Sequence, residues 1–142
     1  MPGTSCMVQC DFVALVSTHM VKRFFLNEIR IETESLDHCF FHLDGPDAIK
    51  HIDTILALST LDGLNYVMGS GCEFTLQQTI DLYKRVQAAG KIAVLGASQA
   101  TLEPLLTQLD PRKLFLRMGA RSAEHAREIL KTAEHIAARR KR

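Results

Sequence analysis

Two polar side chains stand at the carboxyl end of a predicted strand, where they could carry out metal or acid-base chemistry. Alternation along the run 38–44 places His42 and Asp44 on the same face of that strand. The carboxyl ends of parallel strands are a common place for active sites. An imidazole and a carboxylate are also usual zinc ligands, with Cys72 as a candidate third ligand. His42 and Asp44 are therefore candidate catalytic residues and metal ligands. The alternative is that Asp44 caps the following helix and His42 is a half-buried polar residue.

Four further positions carry weaker chemical signals. Asp11 falls in the first predicted strand and is a candidate catalytic residue if it points inward; otherwise it is a polar residue on an open sheet face. Arg117 ends the last predicted strand, where it could bind a carboxylate or phosphate, or pair with Asp11 or Asp44, and we prefer the pairing. Gly69 and Gly71 could expose backbone N–H groups to an anionic cofactor, although two glycines after a strand commonly form an ordinary turn.

Composition indicates one globular domain over residues 1–142. Hydrophobic residues make up 46% of the chain, which is enough for a core, and the net charge of +1 gives no basic surface for nucleic acid. No apolar segment approaches the roughly 20 residues that span a bilayer, so we expect no membrane association. The four cysteines form no CxxC pair, which favours reduced thiols and a cytoplasmic location. The basic residues 139–142 suit the end of a helix.

Five strand–helix units follow one another along the chain. Ser17-Thr18 and Ser122 are predicted helix caps, Thr75 is a predicted helix start, and Gly90 is a predicted helix end. His51 lies on a predicted helix without a partner at ligand spacing, so we expect it at the surface or at the boundary of the core. Alternating strands and helices predict a parallel sheet, either an open doubly wound sheet or part of a closed barrel. The predicted strands cover residues 8–16, 38–44, 64–68, 91–95 and 114–118, and the predicted helices cover 20–36, 47–58, 75–90, 101–109 and 122–137.

Several segments, taken in order, resemble the uroporphyrinogen decarboxylase-like superfamily, which also contains corrinoid methyltransferases. The first is His42-Leu-Asp-Gly-Pro-Asp-Ala-Ile-Lys-His-Ile-Asp53, and the others are 75–91, 102–106 and 109–116, with weaker similarity at 8–12 and 17–20. The resemblance implies a (βα)₈ TIM barrel of which this chain matches only the C-terminal part, strands four to eight. Residues 8–37 form the weaker-matching first unit, and residues 38–142 form four further units.

The resemblance implies an incomplete active site. In the methyltransferase branch, a His-x-Cys pair and a later cysteine bind zinc; this chain has His42 and Asp44 instead, and residues 118–121 contain no cysteine. The decarboxylase branch relies on an aspartate and arginines from the part of the barrel that this chain does not match, and Asp11 does not replace them. We therefore expect a homologue without the family's catalytic activity and without a resident cofactor. The alternative is a decarboxylase or methyltransferase, using zinc, a corrinoid or a tetrapyrrole, whose site is rebuilt at an oligomer interface.

A partial barrel needs a partner. One sheet face and both edges would stay open, and Phe40, Val67 and Val94 would be exposed to water. We expect self-association into a homodimer or higher oligomer, although an upstream half-barrel subunit could also fill the gap. Two copies contribute ten strands, too many for a regular eight-stranded barrel. Either the first unit is rearranged, which we prefer, or two open sheets pack face to face. A third hypothesis is a module that binds an anion or tetrapyrrole without chemistry.

Overall fold

The fold alternates parallel strands with helices. This computed structural model describes residues 3–69 and 71–139. Its strands are β1 (Ser5–Gln9), β2 (His38–Asp44), β3 (Gly63–Val67), β4 (Ile92–Gly96) and β5 (Leu114–Arg117). Its α-helices are α1 (Thr18–Met20), α2 (Leu26–Glu34), α3 (Ile52–Leu56), α4 (Leu76–Ala88), α5 (Gln99–Gln108) and α6 (Ala123–Arg139). A π-helical turn, Val21–Phe25, joins α1 to α2, and 3₁₀ turns cover Asp11–Leu15, Pro46–His51 and Pro111–Lys113.

The order of the strands decides between the two architectures that the sequence left open. All four strand pairings are parallel, and the spatial order β1-β2-β3-β4-β5 is the order along the chain. A doubly wound sheet reverses its strand order at a switch point, and this sheet does not. Because parallel crossovers are right-handed, a sequential order puts every connecting helix on the same side. The arrangement is consistent with a partial barrel.

The two faces of the sheet have opposite character. On β2, the helix-facing side chains Cys39, Phe41 and Leu43 are fully buried, while the alternate residues are only partly buried. The main core joins these side chains to apolar residues of the helices, among them Ile29 and Ile80. A second cluster lies between α5, α6 and β5. The helices therefore cover one sheet face and leave the other without a covering layer of secondary structure.

The uncovered face is concave. Residues of β1 and β5, at opposite edges of the sheet, line the same cavity of about 240 Å³. Phe40 and Val94 line it too. The sheet therefore curls with this side inward, and we call it the concave face. The curvature corrects one prediction, because Val94 is only 3% exposed, whereas Val67 is 39% exposed as expected. Phe40 is partly buried.

The first unit differs most from its prediction. The first strand was expected over 8–16, but β1 ends at Gln9 and the following residues form a 3₁₀ turn. Val13 and Val16 are both buried, and their spacing of three matches the three residues per turn of that helix type. We expected a rearranged first unit, but its strand is not rearranged, since β1 pairs in register with β2 from Ser5 to Gln9. Within the first unit, the irregular part is the helical segment after β1.

The local signals for helix ends were largely correct. Ser17, Thr75 and Ser122 each accept a backbone N–H bond at the start of a helix, and Thr75 forms a capping box with Gln78. Gly90 has φ of 83° just after α4, as a helix-terminating glycine should. The segment after Pro46 was predicted as one α-helix, but it begins as a 3₁₀ turn and becomes α-helical only at Ile52.

Candidate functional site

A hydrogen-bonded row of side chains crosses the concave face near the strand ends. Asn65 of β3 lies beside His42 of β2 and Val94 of β4 in the sheet register. Asn65 Nδ2 donates to the backbone oxygen of Val94 at 2.8 Å, which turns its Oδ1 toward His42 Nδ1 at 3.0 Å. Because an amide oxygen only accepts, His42 Nδ1 must carry a proton. In the neutral imidazole the lone pair is then on Nε2, the nitrogen that can accept a proton or a ligand.

Asp44 stands at the end of the same strand as His42, beside Val67 in the register. The alternative role predicted for it was wrong, because the N-cap of the next turn is Gly45 and no side chain caps that turn. The structure does not assemble the three-ligand set of His42, Asp44 and Cys72. Within residues 3–69 and 71–139, no group of three or more His, Cys, Asp or Glu side chains is placed to hold a metal ion. No chemical step can therefore be derived through zinc from these residues.

Asp11 is not in a strand and does not line the concave face as a strand residue would. It begins the 3₁₀ turn after β1 and is exposed. The prediction failed because β1 starts three residues earlier than expected, so the strand is complete before this position. Asp11 therefore lies outside the strand positions that form the row with His42.

Arg117 ends β5 on the same face as Gly96 of β4, its register neighbour. The preferred pairing with Asp11 or Asp44 does not form, since none of the ion pairs among the described residues includes Arg117. Its guanidinium lines the concave cavity and also a second cavity between β3 and β4. Arg117 is therefore a cation without a carboxylate partner within the described part of the chain.

Gly69 and Gly71 both adopt the left-handed backbone region, with φ of 75° and 80°. A Cβ at Gly69 would lie 3.4 Å from Gly45 Cα, so the loop after β3 packs closely on the loop after β2. The candidate anion loop also includes Ser70, which lies outside the described residues. The left-handed backbone accounts for both glycines, and close packing adds a second reason at Gly69 alone. Their proposed role with an anionic cofactor stays a prediction.

Two tyrosines near the site were not identified as site residues from the sequence. The Tyr83 hydroxyl of α4 is buried between β3 and β4, and burial raises its pKa to about 12. Tyr66 is 8% exposed and its hydroxyl has no hydrogen-bond partner. Burial is the main cause that raises the Tyr66 pKa, with the nearby charges of Cys72 and Asp44 adding to it. The signal that could have indicated this region was Asn65, a polar residue inside an apolar strand run.

His51 was expected at the surface or at the boundary of the core, but it is completely buried. Its Nε2 lies 2.9 Å from the backbone oxygen of Val13, and its Nδ1 lies 3.2 Å from Thr18 Oγ1. A neutral ring satisfies both contacts, because Nε2–H donates to the carbonyl and Nδ1 accepts from the hydroxyl. Burial is the largest cause that lowers the His51 pKa. This histidine ties the second unit to the turn and helix of the first unit.

The fold and site define a class: a parallel α/β chain with sequential strand order and a polar row on its uncovered face. Comparisons with known proteins add no relative, since no family model, curated protein or solved structure matches this chain. None of the described helices is long and apolar enough to cross a membrane. The resemblance to uroporphyrinogen decarboxylase-like proteins, the cytoplasmic location and the lack of a resident cofactor stay predictions.

Proposed function

We propose that this chain is a half-barrel-like homologue of uroporphyrinogen decarboxylase-like proteins that works as a homodimer, without the family's catalytic activity. The observation that carries the proposal is the distribution of exposed large apolar side chains. Among the described residues, eight of the nine lie in the first or the last strand–helix unit, and the ninth is Val67. The eight are Met7, Phe12, Leu15, Met20, Phe24, Ile31, Phe115 and Leu130. Exposed apolar surface concentrated at the two ends of the sheet favours a partner at both ends.

A second copy fits both ends at once. The sequential order leaves β1 with one unpaired edge and β5 with the other. A two-fold axis along the strand direction would bring β5 of one copy beside β1 of its partner, twice, and would keep all strands parallel. No open edge would remain, and the two concave faces would enclose a common interior. This arrangement pairs the sheet edges of the two copies, and so differs from both alternatives considered from the sequence, a rearranged first unit and two open sheets packed face to face. The regular pairing of β1 supports it, because an intact β1 offers an edge to the partner's β5.

The same arrangement would pair the exposed helix faces. The helical segment Thr18–Glu34 follows β1, and α6 follows β5, so neighbouring edges would make these helices neighbours in the outer layer. Leu130 of α6 is 61% exposed, and Phe24 is 53% exposed. Fully burying a large apolar side chain contributes about 1.5–3 kcal/mol. Burial of such exposed side chains against a second copy therefore favours association.

The test is the mass of the protein in solution. We expect light scattering to give twice the 15.9 kDa chain mass at micromolar concentration. The double variant Phe115→Gln/Leu130→Gln should shift the protein toward monomer, because both side chains lie at the proposed interface. The matched control, Glu128→Gln/Lys131→Gln, changes two exposed residues of α6 that point away from Leu130, and it should leave the dimer intact. A wild-type monomer at tens of micromolar would refute the proposal, as would equal behaviour of the two double variants.

A second candidate function is supported by the row on the concave face. Asn65 orients His42 so that Nε2 is free to act as a base or a ligand atom, and enclosure within a dimer would exclude bulk water from it. On this proposal the chain is a decarboxylase or methyltransferase whose site is rebuilt at the interface. Purified protein incubated with uroporphyrinogen would then yield products with fewer carboxylates, and His42→Gln would abolish them while remaining dimeric. No product from the wild type would leave the non-catalytic dimer as the better proposal.

A further inference from the structure

The ends of β3 and β4 are separated by a tyrosine hydroxyl. The register between the two strands runs through three pairs and stops at Asn65 and Val94. Beyond that point the backbone N–H of Tyr66 donates to the Tyr83 hydroxyl at 3.1 Å, and this hydroxyl donates to the backbone oxygen of Val94 at 2.9 Å. A side chain from α4 thus replaces the next rung of the ladder. The strands open toward their carboxyl ends because the phenol occupies the space between them.

A crevice of about 300 Å³ lies in this opening. Its walls include the apolar side chains of Val67, Met68 and Leu95, and its polar groups include Asn65. Arg117 stands at one side of it. Ligand sites commonly have this composition, with mostly apolar walls and a few polar groups that fix orientation. The position also agrees with the general rule that ligands bind beyond the carboxyl ends of parallel strands.

Arg117 carries a charge that no ion pair balances. Among the described residues it is the one charged residue that lines the crevice, and none of the ion pairs in these segments includes it. Arginine binds carboxylates through two parallel N–H···O bonds. One guanidinium beside apolar walls suits a single carboxylate better than a phosphate, which typically gathers several cations or backbone N–H groups.

The volume limits the size of the ligand. Small-molecule sites typically measure about 300–1,000 Å³, so this crevice lies at the lower end of that range. A tetrapyrrole macrocycle is among the larger ligands that proteins bind. The crevice is therefore suited to a small organic acid and not to the large ligands that the resemblance implies.

We propose that this crevice is a binding site for a small monocarboxylic acid with an apolar body. The carboxylate pairs with Arg117, and the apolar body lies against Val67, Met68 and Leu95. The Tyr83 hydroxyl keeps the strands apart and so keeps the crevice open. One chain supplies all of these residues, so the proposal does not depend on the dimer.

The test uses a panel of small acids on the full-length wild-type protein, with binding followed by ligand-detected NMR. The panel contains phenylacetate, 4-methylpentanoate and cyclohexanecarboxylate, and phenylacetamide serves as the uncharged analogue. We expect at least one acid to bind and Arg117→Gln to weaken it tenfold or more. Arg117 is exposed at a strand end, so this variant should fold. Arg121→Gln is the matched control, because Arg121 is exposed in the next loop and lines a different cavity.

The binding results for the acids and the two arginine variants either support the site or overturn it. Binding that is lost in Arg117→Gln, kept in Arg121→Gln and absent for phenylacetamide supports the site. The proposal is overturned if no acid of the panel binds at 10 mM (about 2.7 kcal/mol of standard binding free energy). It is also overturned if phenylacetamide binds as tightly as phenylacetate, if both arginine variants behave alike, or if inorganic phosphate displaces the acid at equal concentration.

Discussion

The buried His51 ring makes the stability of this protein depend on pH in a predictable direction. In the folded chain the ring is completely buried, which disfavours its charged form, and a neutral ring satisfies the hydrogen bonds to Val13 and Thr18. Burial lowers its pKa below the ordinary value of 6.5. Above pH 6.5 the ring is neutral in both the folded and the unfolded state, so its contribution is fully present. As the pH falls below 6.5, the unfolded chain binds a proton that the folded chain excludes, and stability is lost.

The magnitude follows from proton linkage. One excluded proton lowers the free energy of unfolding by at most about 1.4 kcal/mol for each pH unit, between pH 6.5 and the lowered pKa. Below that pKa the folded ring is protonated too, and the slope disappears. We expect His51→Gln to lose this slope and also to lower stability at pH 7.5 by roughly 1–3 kcal/mol, because a buried carbonyl and hydroxyl lose well-placed partners.

The assay is urea unfolding at half-unit steps from pH 7.5 to 5.0, at one fixed protein concentration so that any association stays constant. His135→Gln is the control, because His135 is exposed on α6 and its replacement should leave the slope unchanged. An NMR titration of the His51 ring gives the folded pKa directly, even if the His51 variant is too unstable to measure. An ordinary folded pKa, or the same slope in wild type and His51→Gln, would refute the reasoning.

Two further predictions concern protein stability: one tests the tyrosine between the ends of β3 and β4, and the other tests the glycine that begins β3. Tyr83→Phe should cost roughly 1–3 kcal/mol in urea unfolding, because the buried Tyr66 N–H loses its partner, while the Val94 oxygen keeps Asn65 as a donor. Tyr66→Phe removes an unpartnered hydroxyl and should cost less than about 1 kcal/mol. Equal losses would contradict the bridging role. Gly63→Ala should cost at least about 2 kcal/mol, because the new Cβ would lie 2.5 Å from the Ile92 backbone oxygen, while Gly119→Ala meets nothing within 4 Å and should be nearly neutral. A mild Gly63→Ala variant would show that the neighbouring strand yields easily.

Much of the local structure was predictable from neighbouring residues. Helix caps such as Thr75 and the terminating Gly90 act within one turn of the backbone, so their sequence signals are self-contained. Period-two alternation likewise placed His42 and Asp44 on one face, as the alternating burial of β2 bears out. The first strand was mistaken because 8–16 is apolar and β-branched at several positions. The buried side chains of its second half instead follow the three-residue period of a 3₁₀ turn.

The candidate site depended far more on contacts between distant segments. His51 looked partnerless because Val13 and Thr18 are 38 and 33 residues away in the sequence. Asn65 donates a hydrogen bond to the Val94 carbonyl, 29 residues later in the sequence. That bond orients the Asn65 side chain so that its oxygen accepts the proton of His42 Nδ1. Arg117 was expected to pair with an aspartate, but three strand spacings along the sheet order separate β5 from the Asp44 strand. Spacing in sequence carries no information on such distances.

The sequence by itself determined that this protein consists of alternating strands and helices in a parallel sheet, because periodicity, caps and turn residues are local properties of the chain. Only the tertiary structure decided that the strands lie in sequential order, with helices on one side and a concave face on the other. The tertiary structure also decided that the ends of β3 and β4 are separated by the Tyr83 hydroxyl. The physical reason is that strand order and interstrand gaps are set by which distant surfaces bury each other, and many orders satisfy the same local pattern.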